Sequence, residues 1–582
     1  MSALAISILT LVLLFLSVAG AGIFPWSLQT AALLLPAVTL PMLLSQPIAL
    51  TPRQLRAPMG WLFLYTLLMI VPLNDFWHQC SPIRATANQT ATAAIEQIGL
   101  ITPLPSNALG DFALTRNRTG TLRFFLLITA GFSAWIIIRN ASPRLRVRWL
   151  GILLLIGTLT AIVGMLGRWV FPQGDTLYWY IPVPHGRPGP MGGFMNRNHF
   201  AGFLAILAPT ALCFTCMAWE RKSYLRAIAA LAVTGLFTAG TLLSFSRGGT
   251  LALLAGLLAT TCAIMSHSPW KTKRILLAAM AALLGGSILI TWQHPALRTR
   301  LTGWDTPATQ EAATDRWSAW QDTLQIARAY PILGAGPNAF RTVYPQHRHT
   351  SDRAARDFAE NEYVQWLAET GLAGLLLALC FAMIITRRIW QYLRSNQTDA
   401  PNMLAPAAMG ALAAAVMHAT LDFPLRLPLY AITLVALAAL LWPAPNSCFR
   451  QKTTLPPIVV MGLGLLVALI SLPANLRLDA PGTIASATPR QAIRTLHAAP
   501  TYPIAWRRLS AIHWQKNDPQ HRALAVELLT QATAYDPNNY ILWRTLGQRR
   551  QALGDHAGAN AAYQRVRELR DWVRVPHLSE DP

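Results

Sequence analysis

The chain has 582 residues, 53% of them hydrophobic and only 13% charged, where a soluble globular protein carries about 25% charged residues. With a mean hydropathy of +0.35, this composition excludes a disordered, collagen-like or disulfide-rich secreted protein. A net charge of +23 raises nucleic acid as a partner, so the placement of the charge decides. The cysteines (Cys80, Cys213, Cys216, Cys262, Cys380 and Cys448) form no metal-ligand or paired framework. Cys213 and Cys216 make a C-x-x-C, but inside an apolar run, where they read as packing of small side chains.

A bilayer core needs about 20 mostly apolar residues per helix, and fewer when the flanks snorkel. In chain order such runs cover 2–22, 28–45, 57–73, 122–138, 149–168, 199–218, 225–243, 249–266, 275–292, 369–386, 404–422, 427–442 and 455–473. The fold class predicted is therefore an all-α polytopic membrane protein of about 12–13 transmembrane helices. The first run resembles the apolar region of a signal peptide, with Ser17-Val18-Ala19 imitating a cleavage site. It lacks preceding basic residues, so an uncleaved first helix is expected.

If the N-terminus lies in the cytoplasm, alternate connections should be basic. They are: Arg53/Arg56, Arg139/Arg144/Arg146/Arg148, Arg221/Lys222/Arg226, Lys271/Lys273/Arg274, Arg387/Arg388/Arg394 and Arg450/Lys452. The short connections on the other side are nearly free of positive charge. The basicity is thus largely topological, and no nucleic-acid partner is needed to explain it. Three soluble parts fall outside: a loop at 74–121, a larger one at 293–368, and residues 474–582. The domains expected are N-terminal membrane helices with the first loop (1–190), a membrane core with the second (191–445), a last transmembrane helix (446–473) and a helical tail (474–582). Within the tail, Trp506, Leu509 and Pro537 recur at a spacing of 37 as Trp543, Leu546 and the region after residue 573. The unit Trp543, Leu546, Gly547, Gly554, Ala559, Tyr563 resembles the tetratricopeptide pattern. Two units are fewer than the ~3 such repeats need alone, so the tail should dock on the outer loops or carry degenerate flanking helices. It could offer a surface to a protein partner or be a packing appendage.

Neither a P-loop nor an HExxH or similar metal cluster appears, so no ATP, metal or other cofactor is expected. Polar residues crowd instead at the outer face, and ionisable groups near spans default to functional candidates. In Asn196-Arg197-Asn198-His199-Phe200, Asn198 is expected to cap the helix, while Arg197 and the first-turn amides could hold an anion; plain capping is the simpler alternative. Ser246-Arg247-Gly248 makes a tight outer turn whose Arg either meets a phosphate or carboxylate or snorkels to headgroups. The 293–368 loop holds Arg316-Trp317-x-x-Trp320 and then Pro331-Ile332-Leu333-Gly334-Ala335-Gly336, a helix ended by a Pro/Gly turn. Glu360-Asn361-Glu362-Tyr363 follows, with Asn361, Gln365 and Glu369 on one helical face. A carboxylate here could act as a general base, or could simply offset the arginines. His418 and Asp422 share a face at the end of a later helix.

From about 190 to 430 this ordered set resembles the O-antigen ligase and polymerase superfamily of bacterial membrane glycosyltransferases. The resemblance implies transfer of a glycan from an undecaprenyl-diphosphate carrier to an acceptor at the outer face of the inner membrane, without ATP or metal. It implies lipopolysaccharide or other surface-polysaccharide biosynthesis, with the 293–368 loop and the tail in the periplasm. Arg247 and Arg316 would hold the diphosphate, with Glu360, Glu362 or His199 as base. Arg197, Asn198, His199, Asn361, Glu362, His418 and Asp422 would line the substrate site. Where many ligases have His before the Asn of the fourth motif, this chain has Glu360. That leaves open a lipid core, a growing polymer or a protein as acceptor, and so a polymerase or protein O-oligosaccharyltransferase. A lipid-linked-glycan transporter would need charge near the midplane and often inverted repeats, and none is evident. A non-enzymatic scaffold would leave the motifs unexplained.

Overall fold

The computed structural model describes residues 2–22, 24–45, 53–71, 81–101, 112–170, 176–177, 181–182, 191–302, 307–349, 356–395, 403–443, 455–477 and 487–571. The chain is an all-α polytopic membrane protein. Its N-terminal helices are α1 (Ser2–Val18), α2 (Pro25–Ser45), α3 (Arg53–Ile70), α4 (Pro82–Ile101), α5 (Arg118–Asn140) and α6 (Pro143–Val170). Then come α7 (Arg197–Glu220), α8 (Tyr224–Leu243), α9 (Arg247–His267), α10 (Trp270–Gln293), α11 (Pro295–Thr302), α12 (Pro307–Ala329) and α13 (Phe340–His347). The series continues with α14 (Glu362–Leu393), α15 (Leu404–Ala419), α16 (Pro428–Ala438) and α17 (Leu455–Arg477). A two-residue hairpin, Thr176–Leu177 with Ile181–Pro182, is the one sheet among the described residues. Eight helices are long and apolar enough to cross a membrane, and shorter apolar helices occupy the remaining runs read from the sequence.

The most enclosed helix is α7, whose apolar side chains from Phe200 to Leu212 are at most 1% exposed. Outward-facing Leu and Ile on α9, α10 and α14 stay exposed, as a lipid-facing surface requires. At one end of the bundle, cations close off helix C-termini, where carbonyls lack intrahelical partners. Arg146 donates to Ile138 O (3.0 Å), Arg139 O (2.8 Å) and Trp442 O (2.8 Å). Arg388 donates to Leu441 O at 2.9 Å. Some of the topological arginines therefore also hold helices together.

At the opposite end, the inter-helix loops and the tail pack on one another. The tail is built of α18 (Pro489–Ala498), α19 (Pro503–Trp514), α20 (Pro519–Tyr535), α21 (Tyr540–Ala552) and α22 (His556–Asp571). Trp506 Nε1 donates to Pro500 O at 2.8 Å, and Trp543 Nε1 to Pro537 O at 2.7 Å. Pro500 and Pro537 thus take equivalent places 37 residues apart; the region after 573, paired with Pro537 in the sequence, lies outside the described residues. The apolar face left by two repeats is covered by α4: Ala87, Ala91, Ile95 and Ile98 share a core with Ile493, Leu496, Leu524 and Leu528.

His513 is 1% exposed in this tail core. Burial, with the charges of His521 and Lys516, pulls it down to about 4. The folded tail thus keeps His513 neutral where the unfolded chain would protonate it. Its contribution to stability is complete above about pH 6.5 and is lost as pH falls toward 4. Limited proteolysis of the full chain should release tail fragments faster at pH 5 than at pH 7, and His513→Gln should flatten that difference.

Candidate active site

The loop before α14 is built around a broken helix. Gly371 has φ 59°, ψ −155° and interrupts α14. The turn Pro331–Gly336 fills the break: Leu372 N donates to Pro331 O (2.8 Å) and Ala373 N to Ile332 O (3.0 Å). In return Ala335 N donates to Ala368 O (3.0 Å) and Gly336 N to Glu369 O (2.8 Å). The Pro/Gly motif is thus a backbone plug, as its reading as a turn anticipated. A Cβ at Gly334 would collide with the Glu369 carbonyl, and one at Gly336 with Thr115.

A buried charge network locks this plug. Arg426 donates from Nε to Glu362 Oε2 (3.2 Å) and from Nη1 to Glu369 Oε2 (2.6 Å) and Asn338 Oδ1 (2.7 Å). Glu369 also accepts from Asn338 N (2.8 Å), Phe340 N (3.2 Å) and Gln365 Nε2 (3.0 Å). Burial alone would lower the basicity of Arg426, but Glu369 and Glu362 more than reverse this and hold it charged. The expected shared face of Asn361, Gln365 and Glu369 is present, with Asn361 capping α14 through Tyr363 N and Val364 N. Asn338 did not stand out in the sequence, and Arg426 did so only as an Arg on the side where positive charge is otherwise avoided.

Three helix ends meet beside this network. Asn196, not Asn198, caps α7: its side chain accepts from Asn198 N at 2.9 Å. One residue of helix start separates the two, and only Asn196 has the extended backbone a cap requires. Ser246 caps α9, whose first residue is Arg247. A methyl group at Gly249 would collide with Ala201, and one at Gly202 with the His418 ring. These glycines let α7, α9 and α15 close on one another. His199 Nε2 lies 3.1 Å from Asp422 Oδ1, and His418 Nε2 3.8 Å from Asp422 Oδ2. All three side chains are at most 4% exposed. Asn361 Nδ2 donates to Thr420 O (3.1 Å), and Phe358 stacks on Phe423 at 3.9 Å, so segment 356–361 is fastened to the same helix end.

Glu360 sits on that segment with φ 53°, in the left-handed region that side chains other than glycine rarely adopt. Its neighbour Ala359 is held from both sides: Trp320 Nε1 donates to Ala359 O (3.0 Å), and Ala359 N to Gln365 Oε1 (2.9 Å). Arg316 Nε donates to Glu360 Oε2 at 2.8 Å, and the two side chains are 38% and 37% exposed. Among the candidate bases, Glu360 is the one that solvent reaches. Glu362 is buried on Arg426, and His199 on Asp422.

Residues 230–379 match the O-antigen ligase family model. The matched stretch holds Arg247, Arg316, Glu360, Asn361 and Glu362; Arg197, His199, His418, Asp422 and Arg426 lie outside it. The match supports the resemblance read from the motifs and an enzyme of ligase type in the membrane. No curated protein matches the chain.

Removing one partner of a buried ion pair costs about 3–5 kcal/mol, because the other charge stays buried. Arg426→Gln and Glu369→Gln should therefore lower the amount of folded protein recovered from membranes. Glu360→Gln, at a half-exposed pair worth at most ~1 kcal/mol, should leave the yield unchanged. Equal recovery of all three on size-exclusion chromatography would refute this division into framework and site.

Proposed function

We propose that the protein is a membrane glycosyltransferase of the O-antigen ligase type, moving a glycan from an undecaprenyl-diphosphate carrier to an acceptor at the periplasmic face of the bacterial inner membrane. The observation that carries this reading is the Arg316–Glu360 pair, half-exposed on a left-handed backbone beside the helix ends bearing Arg197, Arg247 and Asp422. The leaving diphosphate gains charge as the glycosidic C–O bond breaks, and Arg247 and Arg316, placed in advance, stabilise that charge. The acceptor hydroxyl forms the new bond to the anomeric carbon, and its proton passes to the Glu360 carboxylate. Arg197, with the positive ends of the α7 and α9 dipoles, favours the same anionic group. Asn198, His199, Asn361, Glu362, His418 and Asp422 shape the site's wall, most of them by holding its helix ends together.

In this reading the basic ends of the bundle face the cytoplasm, and the 293–368 loop and the tail, a tetratricopeptide-like domain, face the periplasm. Membrane lipids surround the bundle, and no nucleic acid takes part. Two features favour a growing polymer or a protein over a lipid core as acceptor. Glu360 stands where many ligases have His, and the tail packs on the loops that carry the site.

Purified full-length protein should transfer glycan from a defined undecaprenyl-diphosphate oligosaccharide to one of the separately offered acceptors. Arg247→Ala, Arg316→Ala and Glu360→Gln should each lower the rate by about 100-fold or more, at unchanged protein level. Wild-type rates in these variants would sink the assignment. Carrier movement across proteoliposomes without product would replace it with a transporter.

A further inference from the structure

The tail does more than lie beside the site. It reaches α13 and the residue that follows that helix. Thr501 Oγ1 donates to Thr342 O at 3.4 Å, and Asn538 Nδ2 donates to Arg348 O. Arg348 forms a buried ion pair with Asp536, with Nη2 to Oδ1 at 2.8 Å and Nε at 3.0 Å. Both side chains are less than a tenth exposed, so this is a fixed joint rather than a screened surface pair.

From α13 the chain of interactions continues to both members of the exposed pair. Arg341 lies with its guanidinium 5.9 Å from the ring centre of Tyr502 in the tail, and its Nε is 3.0 Å from Asp357 Oδ1. Asp357 stands three residues before Glu360. On the other branch, Tyr344 OH donates to Asp322 Oδ2 at 3.2 Å, and His349 lies 2.5 Å from Asp322 Oδ1. Asp322 is on α12, the helix that carries Arg316. Arg356 pairs with Asp315, joining the two branches.

Glu360's backbone needs such bracing. A left-handed conformation is disfavoured for a residue with a side chain, and persists only where its surroundings over-determine it. Trp320, Asn361 and Gln365 brace the segment through their hydrogen bonds, and Arg341 braces it through Asp357.

We infer that the C-terminal helical domain is a positioning element for the Arg316–Glu360 site, and that Arg341 is the positioning residue through which it acts on Glu360. This rests on the transferase reading for its kinetic consequence but not for its mechanical one. The domain works within one chain, so it is needed even when no protein partner is present.

The test uses the full chain in nanodiscs and compares wild type with Arg341→Gln, Asp536→Asn and Asp536→Glu. Arg341 is exposed, so its variant folds; Asp536→Glu keeps the charge at the joint. Two readouts are taken: amide exchange of peptides covering 356–361, and transfer kinetics with an undecaprenyl-diphosphate oligosaccharide. Arg341→Gln and Asp536→Asn should speed exchange at 356–361 and lower kcat about tenfold, with donor KM changed less than about twofold, as expected when a reacting group is misplaced while donor binding is intact. Exchange in the bundle core around Phe200–Leu212 should not change, and Asp536→Glu should recover most of the kcat. Unchanged exchange at 356–361 in both Arg341→Gln and Asp536→Asn would overturn the inference, as would a fall in kcat matched by loosening throughout the bundle. A wild type that transfers nothing would remove the transferase reading, while faster exchange at 356–361 in Arg341→Gln would still uphold the mechanical link.

Discussion

A helix broken beside a membrane has to find partners for the backbone groups it frees, because lipid offers none. At Gly371 those partners are the carbonyls and amides of Pro331–Gly336. The soluble loop is thereby seated on α14 through main-chain hydrogen bonds. The same seating brings Asn338 and Phe340 amides onto the Glu369 carboxylate and Arg426 onto both glutamates. The positions of α12, α13 and segment 356–361 all follow from this plug.

Charge is used in two ways around it. Arg426, Glu362 and Glu369 are dry and paired with one another, and so can hold geometry but cannot meet a substrate without breaking the framework. Arg316 and Glu360 are half-exposed, and a pair of that kind exchanges its partner at little cost. In the proposed transfer, an anion arriving at Arg316 would leave the Glu360 carboxylate without its cation beside the acceptor hydroxyl. The strained backbone at Glu360 fits such a role, since strain is tolerated where many interactions converge.

The helices were legible because span length and apolar content are local properties. Each of the apolar runs corresponds to a described helix, and the even spacing of Asn361, Gln365 and Glu369 gave a real face. Cap position was less legible: Asn196 and Asn198 are both good caps, and backbone two residues apart decides between them. Least legible were partners far apart in the chain. Nothing near Arg426 points to Glu362 and Glu369, and nothing near His199 points to Asp422, 223 residues on. The expectation that two repeats must lean on the outer loops did follow from physics. Which helix they lean on did not, because the face α4 presents is half alanine and does not read as a partner surface.

The family match ends at residue 379, yet the geometry of its residues depends on parts of the chain beyond it. Arg426 secures the loop from one side, Thr420 accepts from Asn361, and Phe423 stacks on Phe358. From the other side the tail reaches α13 through Asp536 and Tyr502. The segment that resembles ligases thus supplies the exposed groups, while the flanking segments add to their rigidity. Substitutions in those flanks can alter the site without touching a substrate, because the site is an end-point of interactions that begin in the tail core and in α15.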